Sequence, residues 1–162
     1  MCIDFRPFEI TTGSVKLYDS KHSELLGKPI RRVVDQARIS GNARALIVGA
    51  ITIFASGHAR VKAVACWYVI AHDDAQVEAI GGHVRGFDRS RIVARKGCIA
   101  YAFPGSTVEA HDNSVVIVPQ VQGPRPRVKL HGGAQMVDVA EAEEVRKVLQ
   151  AFKRGHAPTV AA

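Results

Sequence analysis

Between Ile53 and Val118 the chain alternates with a short, repeated pattern. A β-branched residue is followed two positions later by a small one, and then by a polar or glycine turn. Val61-Lys62-Ala63, Val69-Ile70-Ala71, Val77-Glu78-Ala79, Val84-Arg85-Gly86, Ile92-Val93-Ala94 and Val108-Glu109-Ala110 are copies. The branched residues stand at Ile53, Val61, Val69, Val77, Val84, Ile92, Ile99, Val108 and Val115, in steps of 8, 8, 8, 7, 8, 7, 9 and 7. Of the nine residues two places further on, seven are Ala or Gly, the exceptions being Tyr101 and Ile117. Positions i and i+2 share one face of a strand, so each unit predicts a short strand with both residues inward. The residue between them is often charged (Lys62, Glu78, Arg85, Glu109) and is expected to face out.

Turn chemistry separates the units: Ser56-Gly57, Asp73-Asp74, Gly81-Gly82, Asp88-Arg89, Lys96-Gly97, Pro104-Gly105 and Asp112-Asn113. A period of eight with Gly or Asp in every unit makes a poor helix. An antiparallel meander would need very short strands with alanines inside. Stacked coils place small residues in a narrow lumen and let each coil satisfy its neighbour's backbone, so the pattern predicts a short right-handed parallel β-helix, or β-solenoid. Phe87-Asp88-Arg89-Ser90 matches His111-Asp112-Asn113-Ser114 further along the chain, at an offset of 24, which favours three sides per coil, although His72-Asp73-Asp74-Ala75 matches Phe87–Ser90 at an offset of 15.

The flanks are not repetitive. Residues 1–36 are expected to cap the array, with short strands around Thr12-Gly13-Ser14 and at Ile30–Val34. Residues 37–118 form the repeats, the first copies being degenerate. Residues 119–162 begin with an irregular connector holding Gly123, Pro124 and Pro126, and end in a C-terminal α-helix. Asp138 and Glu141 fit a capping box, and Val145, Val148, Leu149 and Phe152 share one helical face, suited to covering the solenoid end or joining a partner subunit.

The units Ala75–Ala79, Ser90–Ala94 and Ser106–Asn113 resemble a recurring repeat of bacterial and actinobacteriophage β-solenoid proteins, which runs alanine-threonine-valine, an outward residue, alanine, an aromatic, then asparagine or aspartate. The resemblance covers residues 37–118 and implies a fold, with no particular activity. Bactofilins are similar in outline, a small solenoid between non-repetitive ends, and that likeness implies self-polymerisation; the expected helix is a departure from them. Hexapeptide acyltransferase solenoids and acidic pentapeptide-repeat DNA mimics differ in period or charge.

Composition changes this picture little. The chain has 162 residues and a net charge of +7, carried mostly by the two ends, since residues 53–118 hold 7 basic and 6 acidic residues. Within that stretch, Arg85, Arg89, Arg91, Arg95 and Lys96 are expected to form a positive strip for an acidic partner or a polyanion, which Arg125, Arg127 and Lys129 beyond it extend. Asp73, Asp74, Asp88 and Asp112 suggest the paired carboxylates of a carbohydrate-active β-helix enzyme, but each sits where a turn wants Asp. The seven histidines have no recognised metal-ligand spacing, and no phosphate-loop or dinucleotide motif occurs, so no metal or cofactor is expected. Ser106 lacks an identifiable catalytic partner. Cys2, Cys66 and Cys98 form no CxxC pair. With no signal-peptide pattern or apolar span, the expected setting is cytoplasmic, without membrane contact. The function expected is a non-catalytic scaffold or protein-interaction module binding an unknown protein or itself. Nucleic-acid or polyanion binding is the alternative and carbohydrate cleavage the weaker one.

Overall fold

The computed structural model describes residues 6–8, 13–18, 36–140, 147 and 150. Fifteen strands follow one another: β1 (Arg6–Phe8), β2 (Gly13–Tyr18), β3 (Gln36–Gly41), β4 (Arg44–Val48), β5 (Thr52–Ala55), β6 (Arg60–Val64), β7 (Tyr68–Ala71), β8 (Gln76–Ile80), β9 (His83–Gly86), β10 (Arg91–Arg95), β11 (Ile99–Ala102), β12 (Thr107–Ala110), β13 (Val115–Pro119), β14 (Arg127–Leu130) and β15 (Gln135–Val139). From β3 onward they alternate between two sheets. The seven-stranded sheet has the order β1-β4-β6-β8-β10-β12-β14, and the eight-stranded sheet β15-β13-β11-β9-β7-β5-β3-β2. The result is a parallel β-solenoid of about six turns, closed at its first end by β1 and β2, which pair antiparallel with β4 and β3.

Each coil has two strands, which corrects the three-sided expectation. Val61 pairs with Val77, Val77 with Ile92 and Ile92 with Val108. Bonds between successive turns span the same intervals, 16 residues from Gly57 to Asp73 and 15 residues from Asp73 to Asp88. The match between Phe87–Ser90 and His111–Ser114 therefore compares turns at opposite edges, one and a half coils apart, whereas the shorter offset was the true repeat. The coil from Val77 to Ile92 is one residue short because Gly81 and Gly82 make a tight turn between β8 and β9, at φ values of 71° and 73°. The last coil is lengthened: Val108 pairs with Val128, four places beyond the regular repeat, because the connector before β14 adds that much chain.

The lumen is filled by the predicted branched and small residues. Ile53, Val69 and Val84 with Ala55 and Ala71 line the eight-stranded side; Val61, Val77, Ile92 and Val108 with Ala63, Ala79, Ala94 and Ala110 line the other. In β11 and β13 the expected phase is one residue out. Ala100, Ala102, Val116 and Val118 point inward, while Ile99, Val115 and Ile117 face the opposite side and join Val137, Val139 and Tyr101 in a second apolar cluster. Alternation cannot mark the inward face where both faces are apolar. Moving the series to Ala100 and Val116 replaces its irregular steps of 7, 9 and 7 with three steps of 8.

The acids of the turns have backbone work. Asp73, Asp88 and Asp112 adopt left-handed φ values of 56°, 55° and 52°, which Asp tolerates better than most residues. The Gly57 N–H donates to Asp73 Oδ2 (2.9 Å) and the Asp73 N–H to Asp88 Oδ2 (3.3 Å), so each coil's turn is tied to the next. Ser106 closes its own turn, its hydroxyl donating to the Phe103 carbonyl at 2.7 Å. Asp138 is not a helix N-cap: it lies in β15 and accepts both contacts, at 3.0 Å, from Arg125 Nη2. Val137 and Val139 on either side are buried at strand period, and that burial holds the segment in the sheet. The helical face of Val145, Val148, Leu149 and Phe152 lies outside the described residues, as does the expected strand at Ile30–Val34.

Cys66 and Cys98 are buried free thiols at the corners of the lumen. Burial raises both, and pushes Cys98 up to about 12 from an ordinary 9.0. Below pH 9 the thiol is protonated whether the chain is folded or not. Between pH 9 and 12 the unfolded chain ionises Cys98 and the folded chain does not, so this stabilisation is lost as pH rises through that window. Urea titrations are expected to show a midpoint falling from pH 9 upward, and falling less in Cys98→Ala. Alkylation mapped by mass spectrometry should leave both thiols unmodified until unfolding.

Candidate functional site: a basic sheet face and a histidine pair

The outward residues of the seven-stranded sheet stack in rows, because parallel in-register strands place equivalent side chains about 4.8 Å apart. One row reads Arg44, Arg60, Gln76, Arg91, Thr107 and Arg127 from coil to coil. The four arginines are exposed. Beside it runs Leu46, Lys62, Glu78, Val93, Glu109 and Lys129. Lys62 and Arg95 both reach Glu78, at 3.1 Å each. Over strands β4 to β14 this face carries seven cations (Arg44, Arg60, Lys62, Arg91, Arg95, Arg127 and Lys129) against Glu78 and Glu109, a net of +5. A shallow cleft of about 730 Å³ runs along the two rows, with the four arginines on its wall. Arg44, Arg60 and Arg127 make no ion pair among the described residues.

The opposite sheet has a different surface. Over strands β3 to β15, Arg38 and Arg85 are its outward cations, set among aromatic and aliphatic side chains. Tyr68 stacks on His83, and His83 on Tyr101, with ring centroids 5.3 and 6.4 Å apart. The Arg85 guanidinium lies 5.8 and 5.4 Å from the Tyr68 and Tyr101 rings. A second ladder, His72–Phe87–Phe103, follows one line of turns at 4.7 and 4.3 Å.

The five cations predicted as a strip are thus distributed around one coil. Arg85 is on the eight-stranded sheet, Arg91 and Arg95 on the other, and Arg89 and Lys96 at the turns on opposite edges. Arg89 makes a two-pronged contact with Asp74, 2.8 Å for each bond, and this holds the Asp74 carboxyl below its ordinary range. Arg91 alone belongs to the arginine row. Of its other members, Arg127 is among the expected extensions of that strip, whereas Arg44 and Arg60 lie two or more coils away along the chain and were hidden from sequence reasoning by the unknown coil length. A table of the residue before each inward Val or Ala would have found them once a two-strand coil was assumed.

A second constellation lies at the margin of the basic face. Glu109 belongs to the mixed row in β12, His111 begins the following turn, and His131 occupies the same place one coil later. Glu109 Oε1 is 3.0 Å from His111 Nε2 and 3.4 Å from His131 Nε2. The two imidazoles stack at 4.6 Å, 10° from parallel. One ligand atom from each of the three residues lies within 4.8 Å of the others, an arrangement that can receive a metal ion. Sequence spacing concealed it, since the long last coil moves the second histidine four places beyond the regular repeat.

Among the described residues no helix is long and apolar enough to cross a membrane. No protein-family model, no curated protein and no solved structure matches this chain.

Proposed function

We propose that this solenoid is a non-catalytic interaction scaffold that docks an acidic protein partner along its seven-stranded sheet. The observation that carries the reading is the row Arg44, Arg60, Arg91 and Arg127, aligned by strand register on a rigid face. Guanidinium groups make charge-assisted, two-pronged bonds to carboxylates, and a sheet fixes their spacing before the partner arrives. The neighbouring row is mixed in sign, with Glu78 and Glu109 between Lys62 and Lys129, and a partner bearing both charges matches it better than a uniform polyanion does. Among the described residues of β4 to β14 on this face no aromatic side chain stands to stack a single-stranded base, which weighs against the nucleic-acid alternative. The backbone bonds accepted by Asp73 and Asp88 support a structural role for the turn acids over the carbohydrate-cleaving one.

Fluorescence anisotropy tests this reading with a labelled glutamate-rich peptide carrying interspersed lysines and a labelled DNA duplex, each titrated at rising salt. The peptide is expected to bind at low salt, to weaken steadily with salt, and to lose on the order of tenfold per arginine in Arg60→Ala and Arg91→Ala. Tighter binding of the duplex through the same residues would transfer the face to nucleic acid. Absence of any binding at low salt would remove the proposal.

Self-association is a second reading, supported by the asymmetry of the ends. The first end carries the antiparallel strands β1 and β2, whereas at the last coil Leu130 and Met136 are 43% and 38% exposed on β14 and β15. Exposed strand edges with apolar side chains attract further strands. Light scattering should then show a concentration-dependent dimer that Leu130→Lys with Met136→Lys disperses.

A further inference from the structure

We infer that Glu109, His111 and His131 form a site for a single divalent transition-metal ion of the zinc class, clipping the last two coils together. The donor set selects the ion. Two imidazoles and one carboxylate suit zinc, cobalt, nickel or copper, while calcium and magnesium prefer oxygen throughout. An ion bound tetrahedrally at about 2.0–2.1 Å from each ligand needs donor atoms ~3.3 Å apart. The Glu109 oxygen already stands 3.0 and 3.4 Å from the two histidine nitrogens.

The backbone is held ready on both coils. The His111 N–H donates to the Ala94 carbonyl and the His131 N–H to the Ala110 carbonyl, each at 2.8 Å, so the two histidines are fixed in register. One adjustment is required. Parallel rings cannot aim both lone pairs at one ion, so the stack of His111 on His131 must open. His111 is the more enclosed, its side chain 19% exposed, and His131 at 49% has room to tilt. Three protein ligands leave a further coordination position for water or for a donor from a bound partner. His131 sits just beyond β14, after the connector that lengthens the final coil. An ion there ties this coil to β12 across the irregular segment, at the end of the solenoid where no further strand follows β14 in its sheet among the described residues.

Isothermal titration of the untagged protein with zinc chloride in a non-coordinating buffer tests the site. The expected result is one ion per chain, with affinity reduced at least about tenfold in His131→Ala and in Glu109→Gln. His58→Ala, at a histidine on another turn, should leave binding unchanged. Zinc should raise the Tm of the parent chain and not that of His131→Ala, and calcium should raise neither. Histidine NMR resonances of residues 111 and 131 should move together on titration. Tm values of the metal-free variants close to the parent's establish that these substitutions leave the fold intact. Failure of zinc to saturate one site, binding indifferent to His131→Ala, or equal binding of calcium would each overturn the assignment.

Discussion

Gly82→Ala is expected to cost more than roughly 3 kcal/mol, a large part of the stability of an ordinary domain, whereas Gly81→Ala beside it costs about 1–2 kcal/mol. Both glycines hold left-handed φ values, 71° and 73°, so both substitutions carry a similar backbone strain. They differ in what the new methyl meets. At Gly81 nothing lies within 4 Å; at Gly82 the methyl would overlap the carbonyl oxygen of Cys66 on the preceding coil. That oxygen belongs to the stacked backbone and cannot turn aside as a flexible side chain does. The neighbouring bonds, His83 N–H to Trp67 O at 3.0 Å and Ile99 N–H to Gly82 O at 2.9 Å, bind this turn to both adjacent coils. Relief would therefore have to separate coils. Urea unfolding of the two variants measures the difference directly. Equal midpoints would show that the short turn is not clamped between its neighbours.

The second large effect is expected in the lumen, at Ile92. This side chain is 1% exposed, and Ile92→Ala should cost about 2–5 kcal/mol through lost burial and the cavity left in a narrow tube. Its terminal methyl occupies space that exists because residue 86 is glycine. A methyl on Gly86 would overlap Ile92 Cδ1, and would also stand 3.0 Å from Ser90 Oγ and 3.3 Å from Ser106 Cβ. Gly86→Ala alone is an overpacking change of about 1–3 kcal/mol. Combined with Ile92→Val, which removes that Cδ1, it should cost clearly less than the sum of the two single changes. A double-mutant cycle from urea midpoints reads the coupling. Strict additivity would mean that the two residues do not share the space.

These effects trace back to features of different legibility. The alternation of branched and small residues identified the repeat strands and the parallel solenoid, because a lumen this narrow favours small and compact branched side chains along each coil. The turn role of Asp73 and Asp88 was equally plain, since few residues other than Gly, Asn and Asp adopt left-handed φ readily. The number of sides was not legible. Both sheets use the same half-unit, so the pattern repeats twice in each coil and cannot say how many halves close a turn. In β11 and β13 the period itself disappears, because Ile99 to Ala102 and Val115 to Val118 are apolar at every position.

The candidate sites depended still more on the third dimension. Arg85, Arg89, Arg91, Arg95 and Lys96 are neighbours in the chain, yet a single coil carries them around both sheets and both edges. Arg44, Arg60, Arg91 and Arg127 are distant in the chain and aligned in register. His111 and His131 meet only because the connector lengthens the last coil by the same amount that separates them from the regular repeat. Sequence by itself determined the strands of the repeats, the small side chains that line the lumen outside β11 and β13, and where the repeat units turn, all of which are set by local alternation and backbone preference. Only the tertiary structure decided the two-sheet cross-section, the basic face and the glutamate-histidine cluster, because those follow from interstrand hydrogen bonds that set how much chain completes one coil.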